Sequence, residues 1–313
     1  MATRLFKLQR LASALFILFF LVHCKSLFEP DIEYGDLVVS ISQKSLKGQL
    51  TTISFTLKNQ DSTNIIRTFR PVGPTETFAI DSVETGEWTL LTEAQDEFNN
   101  NYVDSTSIKI EKNVSNRADL VLGFLIFYDF NDGQPPPWGG NADMSVEQDM
   151  LRITSTRSVN WRFDIFDPVE IGRYTEGKFE FKVNFGAEGY YFDFRGHSQN
   201  DRNEINWGPF VDFREGVVYA STDDFIDTGG RYTPDTWYKV RAELDNFAGN
   251  RGRFTLFMKN LTNDESETMI GEFDYFASNG RLADIVQFSF GVRTLDLAPQ
   301  TSMLLDDVKL IVR

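Results

Sequence analysis

The 313-residue sequence has one cysteine, 31 basic residues against 46 acidic ones, and no apolar run long enough for a bilayer-spanning helix. A single cysteine excludes an internal disulfide framework, so Cys24 can pair only with another molecule. A formal charge of −15 repels nucleic acid and anionic headgroups, which excludes nucleic-acid binding and leaves no basic face for a membrane. Helical periodicity is missing over any useful length, and residues 35–122 offer no His, Cys or convergent acid pair.

What is present favours strands. Apolar residues make up 41% and aromatics 14% of the chain, with 29 phenylalanines against 6 methionines; this suffices for packed cores and suits pleated surfaces. The clearest pattern runs from Tyr232 to Asn260. Tyr238, Val240, Ala242 and Leu244 alternate with polar neighbours, as do Phe254, Leu256 and Met258. The polar stretch Asp245–Arg253 carries Gly249 and Gly252, so two antiparallel strands joined by a loop longer than a tight hairpin are predicted. Such a hairpin needs cover for its apolar face, which the rest of the chain must supply.

Arg4, Lys7 and Arg10 precede the apolar run Leu11–Val22, an export-signal pattern. Leu21-Val22-His23-Cys24 resembles the lipobox of bacterial lipoproteins, which implies lipidation of Cys24 and a lipid-anchored location at the outer membrane or cell surface. Cleavage elsewhere, giving a secreted or periplasmic protein, or retention as an uncleaved anchor are the alternatives. Loss of residues 1–23 removes those three positive charges and takes the formal charge from −15 to −18.

Residues 24–34 read as a tether. Over residues 35–122, short alternating segments around Val39, Phe55, Phe78, Trp88 and Ile108 predict a β-sandwich spacer, and Thr77–Asp96 resembles the prealbumin-like or immunoglobulin-like modules of bacterial surface proteins. The apolar stretch Leu120–Phe127 is expected as one buried strand, with a domain boundary at Gly123. From there the segments YDFND, EGKFEFKVNF, YTPDTWYKVRAELD with RFTLFMKN, and LLDDVKL resemble the concanavalin A-like lectin and glucanase jelly roll, including its laminin G-like group. The resemblance implies a C-terminal unit, residues 123–313, of two stacked antiparallel sheets with a ligand on one face or its rim. The fold expected is therefore all-β: a small N-terminal sandwich, then a jelly roll.

Sugar sites combine flat aromatic platforms with planar hydrogen-bonding groups. Tyr191, Arg195, His197, Arg202 and Trp207, with Trp138 after three prolines, are the candidate ligand residues for a polysaccharide or glycan. Trp138 and Trp207 would serve equally as packing. No Glu-x-Asp-x-x-Glu run of a glucanase occurs, so catalysis is not expected, although His197, Arg202, Asn203 and Tyr219 are residue types that a polysaccharide lyase or another enzyme on this fold uses. A surface adhesion or scaffold protein with a protein partner is the third class. A monomer is expected. Where the first and last strands of such jelly rolls meet, a structural calcium is common; Asp129, Asn131, Asp132 and Asp307 could ligate one. Strict alternation would turn Asp306 and Asp307 to opposite faces, and a basic partner for the inward one is the alternative to the metal.

Overall fold

The computed structural model describes residues 33–42, 46–59, 64–71, 77–138, 143–155, 159–164, 174–186, 191–198, 207–222, 224–245, 252–276, 285–293 and 301–313. Every regular element among them is a strand, and together they form three sheets.

The first seven strands are β1 (Tyr34–Ser42), β2 (Leu50–Lys58), β3 (Asn64–Phe69), β4 (Thr77–Glu84), β5 (Gly86–Asp96), β6 (Asn101–Ile110) and β7 (Ser115–Val121). In β1 every second residue, Leu37, Val39 and Ile41, is buried, and the strand lies between antiparallel β4 and parallel β7. This three-stranded sheet packs on the order β6-β5-β2-β3, whose inward residues include Phe55, Trp88, Leu90 and Tyr102. The polar anchor of this core is Asp96. Its carboxylate accepts from the Phe98 and Asn100 amides, from Asn100 Nδ2 and from the Tyr102 hydroxyl at 2.8–2.9 Å.

The stretch Leu120–Phe127, expected as one strand, is broken at Leu122. β7 ends at Val121, and β8 (Gly123–Tyr128) begins in a different sheet. Residues 123–125 pair with β6, while residues 124–128 pair with the last strand, β21 (Thr301–Val312). One sheet therefore runs from the first sandwich into the second. Close approach at this crossing requires glycine: a Cβ on Gly123 would lie 2.3 Å from Ile311 Cγ2.

The second unit continues with β9 (Asp143–Glu147), β10 (Met150–Ser155), β11 (Val159–Asp164), β12 (Glu176–Phe185), β13 (Tyr191–Ser198), β14 (Trp207–Arg214), β15 (Val217–Ser221), β16 (Phe225–Arg231), β17 (Trp237–Asp245), β18 (Arg253–Asn260), β19 (Thr268–Asp274) and β20 (Ile285–Arg293). The expected hairpin is β17–β18, antiparallel from Tyr238↔Asn260 to Leu244↔Phe254. It belongs to the shared sheet, in the order β19-β18-β17-β12-β21-β8. The opposing sheet has the order β11-β20-β13-β14-β15-β16.

Phenylalanine fills the space between them. Phe179 of β12 stacks on Phe194 of β13 and on Phe288 of β20, both at 4.7 Å between centroids. Burying each such ring contributes about 1.5–3 kcal/mol. The result is an all-β chain, a small sandwich followed by a two-sheet jelly roll.

Candidate functional site

The outward face of the six-stranded sheet gathers the charged and aromatic side chains. In β13, Phe192 and Phe194 point into the core, so Asp193 and Arg195 point away from it; in β14, Val211 and Phe213 are inward and Phe210, Asp212 and Arg214 outward. The tight turn Glu215-Gly216, with φ of 50° and 78°, joins Arg214 to its partner Val217 as a two-residue hairpin of the type that matches strand twist. That turn sets the register. Asp193, Asp212 and Tyr219 become cross-strand neighbours on β13, β14 and β15.

Each acid is tied to the arginine two residues along its own strand. Asp193 Oδ2 lies 2.5 Å from Arg195 Nη2, both residues being about 98–99% buried, and Asp212 Oδ2 pairs with Arg214 Nη2. Gly291 of β20 makes room for the first pair, since a Cβ there would stand 2.5 Å from the Asp193 carboxylate. The arginines also lie over rings: Arg195 is 4.5 Å from the Phe210 centroid, and Arg214 is 4.6 Å from Phe225 and 5.2 Å from Tyr219. Phe225 is 50% exposed, so this end of the face opens to solvent.

Burial pushes the Asp212 carboxyl up to about 6, helped by Asp193 and opposed by Arg214 and Arg195. Burial likewise raises Asp193 against the pull of Arg195. On β16 a third pair repeats the theme, Arg231 binding both Asp227 oxygens at 2.9 and 3.1 Å.

The structure brings four of the sequence candidates onto one hairpin. Arg195 is on the outward face of β13, the backbone of Tyr191 pairs with Arg214, and His197 pairs with Trp207. The side chains of Tyr191, His197 and Trp207 lie outside the described residues, as do Arg202, Asn203 and Cys24 entirely. Trp138 is elsewhere. It is 6% exposed, stacks on Phe290 at 5.9 Å and meets Tyr128 and Phe130 edge-on, so its ring packs in the jelly-roll core.

The candidate calcium ligands are engaged locally. Asp129 accepts from Asn131, Asp132 from the Gln134 amide, and Asp307 pairs with Lys182 Nζ at 2.5 Å. Asp306 reaches the same Lys182 at 3.1 Å. The two aspartates share a face, contrary to simple alternation, because the register slips by one opposite Lys182 and Asp307 takes a φ of 46°, forming a bulge. Among the described residues no group of three or more acids, histidines or cysteines converges as a metal site.

Sequence reasoning missed Asp193, Asp212, Arg214 and Phe225. The signal was the tripeptide Asp-Phe-Arg, which occurs at 193–195 and again at 212–214. Two adjacent antiparallel strands carrying it each turn an acid and an arginine to the same side.

No protein-family model and no curated protein matches this chain. Among solved structures, it is similar to a marine alginate lyase from Aplysia kurodai (10% identity, TM-score 0.41, covering 57% of this chain and 91% of that one). It is also similar to lectin I-B4 from Griffonia simplicifolia (9% identity, TM-score 0.39, covering 60% and 99%). A third is botulinum neurotoxin type C, in a structure concerned with its interaction with two ganglioside molecules (10% identity, TM-score 0.39); there this chain, over 61% of its length, spans 44% of the other. Each of these is a similarity, and the jelly roll described above stands on its own sheets.

Proposed function

We propose that this protein is an exported lipoprotein, anchored through Cys24, whose jelly-roll unit binds a polysaccharide or glycan on the outward face of the six-stranded sheet without cleaving it. The observation that carries the reading is the open end of that face, where the Arg214 guanidinium lies against Tyr219 and the half-exposed Phe225, with Asp212 beside it. Flat rings suit the C–H faces of sugars, and rigidly held donors and acceptors suit their hydroxyls. Tyr191 and Trp207, on the same strand pair, extend the platform in this proposal.

Absence of cleavage is proposed because Asp193 and Asp212, the adjacent acids of β13 and β14, are tied to arginines and Asp193 is fully enclosed, whereas a hydrolase needs a pair free to flank the scissile bond. The first sandwich, residues 35–122, serves as the spacer between anchor and binding unit. Calcium enters no part of this reading.

Glycan-array binding tests it. Phe225→Ala and Trp207→Ala should each weaken binding by about 1 kcal/mol or more, roughly fivefold. Unsaturated products from a uronate polymer, abolished by His197→Ala or Tyr219→Phe, would instead make the protein a lyase. A protein partner recovered with no glycan binding would make it an adhesion or scaffold protein. Labelled palmitate that still enters Cys24→Ser would refute the anchor.

A further inference from the structure

We propose that the glycan taken by this face is an uncharged polysaccharide and that polymers of acidic sugars are refused, because the three arginines of β13, β14 and β16 on the face, Arg195, Arg214 and Arg231, are each already matched by an aspartate. This rests on the glycan-binding reading above and narrows it to a substrate class.

Three Arg–Asp pairs lie along the face: Arg195 with Asp193, Arg214 with Asp212, and Arg231 with Asp227. The first two are joined within a single strand at i and i+2, so their geometry comes from the pleat itself and not from a mobile loop. Among the described charged side chains from β13 to β16 and their turns there are five acids (Asp193, Asp212, Glu215, Asp224, Asp227) and these three arginines. A carboxylate-bearing sugar approaching Arg214 meets Asp212 already on the guanidinium, with Asp193 on the next strand behind it. The overall charge of −15 adds long-range repulsion of a polyanion.

Hydrogen-bond chemistry points the same way. An Arg–Asp pair offers donors and acceptors side by side. A sugar hydroxyl can both give and accept, whereas a carboxylate only accepts and would leave the aspartate oxygens facing another anion.

The test uses the full chain near pH 7.5, where Asp212 is ionised, with calorimetric titration against neutral polymers (a β-glucan, a mannan, a xylan) and acidic ones (alginate, polygalacturonate). At least one neutral polymer should bind, with affinity nearly unchanged from about 50 to about 500 mM salt, and the acidic polymers should bind about tenfold more weakly or not at all. Asp212→Asn and Asp227→Asn each free one arginine, and each should raise low-salt affinity for the acidic polymers about tenfold. If Asp212→Asn does not fold, the surface variant Asp227→Asn decides alone. Preferential binding of an acidic polymer by the unmodified chain, or no gain in Asp227→Asn, overturns this inference and leaves the glycan-binding reading intact. Binding of no polymer of either kind overturns both.

Discussion

Asp212 sits beside Asp193 on the neighbouring strand, and burial lifts its carboxyl from the ordinary 3.8 to about 6. The native state thus holds this proton more firmly than the unfolded chain does, so stability is lost as pH rises from about 4 through about 6. The cost near pH 7 is on the order of 2–3 kcal/mol, and Asp212→Asn should flatten the slope in denaturant titrations run between those pH values. Asp96 behaves oppositely. Burial alone would raise it, but the bonds from Asn100, Tyr102 and Phe98 more than offset that and hold it low. Its contribution is present above about pH 4 and fades on further acidification. Removing the acceptor strands several buried donors, so Asp96→Ala should cost about 2–4 kcal/mol in equilibrium unfolding.

At the scale of elements, the crossing of β8 and β21 is the joint of the molecule. Arg313, just after β21, pairs with Asp104 of β6, and Ile311 packs where Gly123 has no side chain. Gly123→Ala should therefore cost about 1–3 kcal/mol by overpacking, read as faster hydrogen exchange in β6 and β8; unchanged exchange would show that the crossing has room to give. Strand identity was legible along β12, β17 and β18, where one face is buried and the other wet. The break at Leu122 was not, because an unbroken apolar run carries no mark of which sheet each half joins. Nor was the bulge at Asp306-Asp307, which depends on partners across the sheet, Lys182 above all.

At the scale of the whole molecule, the two hydrophobic clusters are linked by one continuous sheet. Unfolding the first sandwich would strip β6 from residues 123–125 of β8 and leave that edge unpaired, so a single cooperative calorimetric transition is expected; two separated transitions would show that the joint transmits little. Calcium and chelator should leave its midpoint unchanged, since Asp307 is engaged by Lys182. A calcium shift of several degrees that is lost in Asp307→Ala would restore the metal.

The sequence by itself determined the fold class, because two-residue periodicity and abundant phenylalanine leave no other way to bury the apolar faces. It also drew attention to β13 and β14 through Tyr191, Arg195, His197 and Trp207. Only the tertiary structure decided that Trp138 is core, that Asp193 and Asp212 are opposite one another, and that Arg195, Arg214 and Arg231 are each paired with an aspartate. Those facts depend on register between strands, which the Glu215-Gly216 turn and the neighbouring strands fix and which periodicity within a single strand cannot express.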